Sequence, residues 1–191
     1  MILIFTVVIS CFRSPLFISE IVTHQANNCW NPTVMLRLPL MEKLSFLKDK
    51  TLLVTGGTGS FGKNFVKHVL KNSAAKKVIV FSRDEFKQHL MTQELENNSR
   101  LRFFIGDVRD LPRLERAFHG VDIVVHAAAL KQVPTLEYNP FEAVKTNVLG
   151  SQNVIEAGID QGVKKVLLIS TDKAVQPINL YGSTKLCAEK L

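Results

Sequence analysis

One stretch restricts the fold of this chain more than any other: Thr51-Leu-Leu-Val-Thr55 runs straight into Gly56-Gly57-Thr58-Gly59-Ser60-Phe61-Gly62. The first five residues have the length and apolarity of a buried parallel strand. After the glycines, Phe61, Phe65 and Val69 recur on one helical face, with Lys63, Lys67 and Lys71 opposite. A strand, a tight glycine turn and an amphipathic helix are thus set end to end. Gly56, Gly59 and Gly62 stand three residues apart, a spacing that lets the chain turn sharply, lets backbone approach a pyrophosphate, and lets the helix pack close to the strand. The helix N-terminus then offers free N–H groups to an anion. A glycine triplet alone is weak evidence, but in this context Gly56, Thr58, Gly59, Ser60, Phe61 and Gly62 read as a dinucleotide phosphate loop.

The rest of the chain repeats the unit. Apolar runs at 77–82, 101–105, 121–125 and 166–170 alternate with helical patterns at 61–71, 84–96, 111–118 and 140–158. Parallel strands need crossovers, and crossovers are right-handed, so the pattern predicts a doubly wound parallel α/β sheet of Rossmann type. At 191 residues the chain holds about one domain and a remainder. The domain is assigned to 48–191. Residues 1–47 read as an irregular N-terminal extension, with the polar-apolar lead from Met41 as the expected start of the protein proper. The apolar run Met1–Phe12 is shorter than the roughly 20 residues that span a bilayer. It also lacks the basic leader and cleavage site of a signal peptide.

The net charge is +7, which fits partners carrying phosphate. Lys63, Lys67 and Lys71 read as a solvated helix face, and no aromatic interleaving supports nucleic acid. Cys11, Cys29 and Cys187 are too scattered for a disulfide framework or a metal site, which points to a reducing cytoplasm and to no metal.

At the end of the second predicted strand, Ser82-Arg83 falls about 20 residues past the last glycine, where the ribose 2′ position is expected. An acidic residue there favours NAD. Arg83 instead offers a planar fork for a 2′-phosphate, with Lys87 one turn later, and this favours NADP. Asp84 or Glu85 is left to cap the next helix. Asp107 and Val108 lie where an adenine is gripped, and Asp107 reads equally well as a turn or cap residue. Beyond the fourth strand, Ala127, Ala128 and Ala129 let backbone lie against a flat ring, and Lys131 is aimed at the crevice. His126 reads as a packed strand-end residue.

The last strand ends Ser170-Thr171-Asp172-Lys173, and Tyr181 and Lys185 follow at i, i+4 on one helical face. A lysine cation beside a phenol favours the phenolate, which can take a hydroxyl proton while a hydride leaves for a nicotinamide.

Together these residues resemble the extended short-chain dehydrogenase/reductase superfamily. Within it, Thr-Gly-Gly-Thr-Gly-Ser-Phe-Gly, Ser-Arg-Asp-Glu, Gly-Asp-Val-Arg-Asp at 106–110, His-Ala-Ala-Ala-Leu-Lys, Thr-Asp-Lys and Tyr-Gly-Ser-Thr-Lys look like the inverting UDP-N-acetylglucosamine 4,6-dehydratases of the bacterial polysaccharide-biosynthesis group. The resemblance covers residues 42–191, and Thr171-Asp172-Lys173 is its most specific element. Retaining dehydratases are expected to carry Glu in place of Lys173. The resemblance implies that Tyr181, with Lys185 and Thr171, deprotonates a C4 hydroxyl while NADP takes the C4 hydride. Lys173 would remove the C5 proton, and Asp172 is the candidate acid for the departing C6 hydroxyl. Hydride returns to C6, and the product implied is a 4-keto-6-deoxy sugar nucleotide inverted at C5. A UDP-sugar substrate and a homo-oligomer are implied as well. Such proteins continue for well over a hundred residues, so the C-terminal substrate-binding part is expected to be missing. The alternatives are an epimerase or reductase on the same fold, or a truncated nucleotide-binding chain without catalysis.

Overall fold

The computed structural model describes the backbone of residues 3–9 and residues 42–191. The expectations for Cys11, Cys29 and residues 14–40 lie outside the described residues.

Among the described residues six strands form one sheet: β1 (Leu3–Ile9), β2 (Thr51–Thr55), β3 (Lys77–Ser82), β4 (Leu101–Ile105), β5 (Ile123–His126) and β6 (Lys165–Thr171). Their order is β1-β6-β5-β2-β3-β4, and every pairing is parallel. The helices are α1 (Ser60–Asn72), α2 (Glu85–Glu94), α3 (Leu111–Phe118), α4 (Val133–Tyr138), α5 (Pro140–Ala143), α6 (Gly150–Asp160) and α7 (Leu180–Lys190), with short 3₁₀ turns at Glu42–Leu47 and Asp172–Ala174.

Strand alternation divides the core into two layers. Leu53, Ile79 and Val124 point to one face and pack with Leu114, Phe118 and Val154 from α3 and α6. Leu52, Val54, Val78 and Val80 point to the other, against Val66 and Val69 of α1 and Met91 of α2. Because both faces are covered, the middles of these strands (52–54, 78–81 and 123–125) hold apolar residues alone, which is why they read as unbroken apolar runs.

Two expectations are corrected. Residues 1–47 are not irregular throughout. Leu3–Ile9 is an edge strand paired along its length with β6, Leu3 opposite Lys165 and Ile9 opposite Thr171, and Glu42–Leu47 turns as a 3₁₀ helix. The apolar run thus pairs one side of its backbone with the sheet. The helix expected over 140–158 is likewise not uniform: between α5 and α6, Val144–Leu149 is a π-helix.

On α1, Lys63 and Lys67 both pair with Glu94 at the end of α2, so two of the three lysines on that face are engaged within the molecule. Among the described residues no helix is long and apolar enough to cross a membrane.

Candidate active site

From β2 the chain proceeds to β3 on one side, while β5 and β6 lie on the other. That reversal leaves a crevice at the carboxyl ends of the strands, the usual ligand site of such sheets. Here it encloses about 680 Å³.

Its floor is the glycine loop. Gly56 adopts φ +65°, a left-handed conformation that suits glycine, and its N–H donates to the Phe81 carbonyl at 2.9 Å. A Cβ there would lie 2.8 Å from Ala128 Cα, so the loop is pressed against the backbone that follows β5. Gly62 alone of the predicted site residues does not line the crevice. A Cβ on it would come within 2.5 Å of Gly57 Cα, so its part is to hold α1 close to the loop. Helix α1 begins at Gly59 with no side-chain cap and no acidic residue in its first turn. Its leading N–H groups are therefore available to an anion, as a phosphate site requires. Thr58, Gly59, Ser60 and Phe61 line the crevice at this point.

Ser82, Arg83, Lys87, Asp107 and Val108 form one end of the crevice. Arg83 lies 3.5 Å from Asp107, and Lys87 lies 3.0 Å from Asp84. Asp84 caps α2, accepting from the Lys87 N–H at 2.9 Å, which resolves the choice between Asp84 and Glu85. Asp107 accepts from the Arg109 N–H at 3.0 Å and from the Arg109 guanidinium at 3.0 and 2.7 Å. Partial burial pushes its pKa up, but the bonds from Arg109 outweigh this and hold the carboxyl below the usual range. Asp107 is thus a turn residue whose oxygens are already supplied with donors.

The opposite end is built by the turn after β5, the π-helix, the end of β6 and α7. His126 closes β5, 2% exposed. Ser151 donates to the Asn147 carbonyl at 2.6 Å and lies 3.0 Å from His126 Nε2, while Thr55 Oγ1 lies 2.6 Å from Nδ1. Since the Ser151 proton is committed, Nε2 carries the ring hydrogen and Nδ1 accepts from Thr55. Burial, reinforced by the charge of Lys185, lowers its pKa to about 3, so the ring is neutral and structural.

Asn147 Oδ1 accepts from the Leu130 N–H at 2.8 Å, and its Nδ2 donates to the Leu130 carbonyl at 2.9 Å and to Thr184 Oγ1 at 3.0 Å. Thr184 in turn donates to the Tyr181 carbonyl at 2.9 Å. This series ties the segment carrying Ala127, Ala128, Ala129 and Lys131 to the helix carrying Tyr181 and Lys185. Lys185 is 2% exposed, and burial, opposed by Glu189, lowers its pKa to about 8.

Beside them, Thr171 donates to Asp172 Oδ1 at 3.0 Å, and Lys173 Nζ lies 3.7 Å from the same oxygen. The Thr171 bond first, and then Lys173, lower the Asp172 pKa. A Cβ on Gly182 would collide with the Lys173 carbonyl oxygen, so α7 rests directly on the Asp172–Ala174 turn. Tyr181, Lys185, Thr171, Asp172 and Lys173 thereby line one crevice with the glycine loop. The uncapped helix start, the loop that has no room for side chains at Gly56, and the basic pair at Arg83 and Lys87 fit a dinucleotide phosphate. Sequence reasoning did not single out Gln132, Thr146 or Ser170, which also line the crevice.

Residues 52–191 match the family described as polysaccharide biosynthesis protein. Among curated relatives, a protein named UDP-N-acetylglucosamine 4,6-dehydratase (inverting) from Campylobacter jejuni is 55% identical over 142 residues, 74% of this chain and 42% of that protein. One named UDP-glucose 4-epimerase from Rickettsia prowazekii is 55% identical over 146 residues, 75% of this chain and 42% of that protein. Among solved structures, a dTDP-glucose 4,6-dehydratase from Streptomyces venezuelae, with NAD bound, superposes with a TM-score of 0.68 at 31% identity, over 73% of this chain and 49% of that one. The chain spans 42% of the length of the two curated relatives.

Proposed function

This chain belongs to the polysaccharide biosynthesis protein family, and on that premise we propose that it is the cofactor-holding, acid–base portion of a UDP-N-acetylglucosamine 4,6-dehydratase. The observation that carries the reading is the contact of α7 with the Asp172–Ala174 turn. It brings a Tyr–Lys pair and an Asp–Lys pair to one crevice.

Arg83 and Lys87 would hold a 2′-phosphate, with Ser60 and Phe61 at the pyrophosphate, so the cofactor is NADP. Bound there, it would accept and return a hydride, leaving no net redox change. Tyr181 takes the C4 hydroxyl proton, and the buried Lys185, with a pKa of about 8, is placed to favour the phenolate. Lys173 removes the C5 proton once C4 is a ketone. Asp172 begins as a carboxylate, so to serve as an acid it must first receive a proton. Lys173, whose Nζ lies 3.7 Å from Oδ1, can hand it that proton and so becomes the neutral amine that takes the one from C5. The C6 hydroxyl then departs as water, and return of a proton to C5 from the opposite face inverts that centre. Among the described residues Cys187 is an exposed free thiol, which accords with a cytoplasmic setting.

The second reading, an epimerase, is favoured by the Rickettsia relative. Mass spectrometry and NMR of the product from UDP-N-acetylglucosamine and NADP separate the two. A product lighter by one water and inverted at C5, formed about 10²- to 10⁴-fold more slowly by Lys173→Ala, supports the dehydratase. A product of unchanged mass supports the epimerase. Dinucleotide binding without turnover marks the chain as the cofactor-holding portion alone.

A further inference from the structure

Helix α7 carries Tyr181, Lys185 and Glu189 at i, i+4 and i+8, so the three share one helix face. Tyr181 and Lys185 have parts in the chemistry above; Glu189 has none. Its position is nonetheless fixed. The hydroxyl of Ser170, a residue of β6 that is 5% exposed, donates to Glu189 Oε1, so a bond from the strand end beside Thr171 reaches the last turn of α7. A half-buried carboxylate is thereby held one helical turn beyond a lysine that is 2% exposed.

A buried ammonium loses its hydration, and an opposing charge recovers part of that loss. The neighbours of α7 leave few sources for one. His126, at the end of β5, faces Lys185 but is neutral. Asp172 and Lys173 of the adjoining turn are paired with each other, and so are Glu142 of α5 and Lys145 of the π-helix. Glu137 of α4 is occupied by the Leu180 N–H at the start of α7, and the charged residue of β6, Lys165, stands at the strand end remote from Thr171. Glu189 remains. Burial acts most strongly on Lys185, and the charge of Glu189 opposes it. Resting on the functional reading above, we propose that Glu189 is a positioning residue for the acid–base pair: anchored by Ser170, it supplies the negative charge that keeps the buried Lys185 an ammonium, and through Lys185 it favours the Tyr181 phenolate.

The test is an NMR titration of the lysine side chains in the ligand-free full chain and its Glu189→Gln and Ser170→Ala variants, the Lys185 signal being the one absent from Lys185→Met. Glutamine keeps the shape and can still accept from Ser170, so it removes the charge and leaves the tie between α7 and β6. The expected result is a Lys185 midpoint lower by about one pH unit in E189Q, a roughly tenfold change in its proton affinity, and lower by about half a unit in S170A, which keeps the charge but releases it. An unchanged midpoint in E189Q overturns the inference and reduces Glu189 to a tie between helix and strand. Should E189Q not fold, an unchanged midpoint in S170A overturns it. The midpoint is read without ligand, so the two failures are distinct. A native chain that binds neither NADP nor NAD overturns the functional reading, whereas one that binds NADP but has a Lys185 midpoint indifferent to Glu189 overturns this inference alone.

Discussion

Lys185 is held where its charge is costly. Burial lowers its pKa to about 8 from 10.5. Below pH 8 both folded and unfolded chains carry the proton, and the folded state bears the full cost of the buried charge. Between pH 8 and 10.5 the unfolded chain binds a proton that the folded chain does not, so stability rises with pH across that window. The shift corresponds to a cost of about 3 kcal/mol at neutral pH. Lys185→Met should therefore raise the melting temperature at pH 7 by about 5–10 °C, and should flatten the rise in stability between pH 8 and 10.5. Melts of both proteins at pH 7 and pH 10 check this; a variant no more stable at pH 7 would show that the burial carries no penalty. At this scale the sequence was informative wherever residue type and local spacing decide the role. Tyr181 and Lys185 stand one helical turn apart, and the predicted site residues other than Gly62 line one crevice. Pairings between distant elements were not legible, such as Arg83 with Asp107 or Thr55 with His126.

Helix α7 shows how an element is fixed at its first turn. Asn179 caps it, accepting from the Gly182 N–H at 2.9 Å, while Glu137 of α4 accepts from the Leu180 N–H at 2.8 Å. Its first turn then settles on the Lys173 carbonyl, with room for nothing larger than hydrogen at Gly182. Within a helix, alanine is ordinarily preferred to glycine by up to about 1 kcal/mol. Here the contact is with backbone, so the preference should reverse. Gly182→Ala is expected to destabilise the chain by about 1–3 kcal/mol and to part Tyr181 from Lys173. Denaturant unfolding measures the first effect, and a midpoint at or above the native value would refute the close approach. The buried strands were readable because two covered faces demand continuous apolar runs. The π-helix was not, since Val144–Leu149 holds no glycine or proline to mark a widened turn. Helix α4, at six residues, is too short for periodicity to reveal. Strand β1 was missed because an apolar run without alternation does not identify its partner, and the partner is β6.

Across the whole molecule, the sheet ends on one side at β1 and on the other at β4. Without β1, the edge of β6 from Lys165 to Thr171 would lie open along the strand that leads to Thr171, Asp172 and Lys173. Open apolar edges recruit other chains. A chain begun at Met41 is therefore expected to self-associate with concentration and to melt lower than the full chain, as light scattering and calorimetry would record; a monomer of equal stability would show that β1 adds nothing. The same pairing has a consequence in time. Leu3 is matched to Lys165, so the strand that leaves the ribosome early must wait for about 160 further residues before its neighbour exists. At synthesis rates of about 5–20 residues per second that wait is roughly 8–30 s, and through it an apolar segment stays without its partner. For this protein, the interval between making the first strand and making the sixth is the period in which a chaperone would matter most.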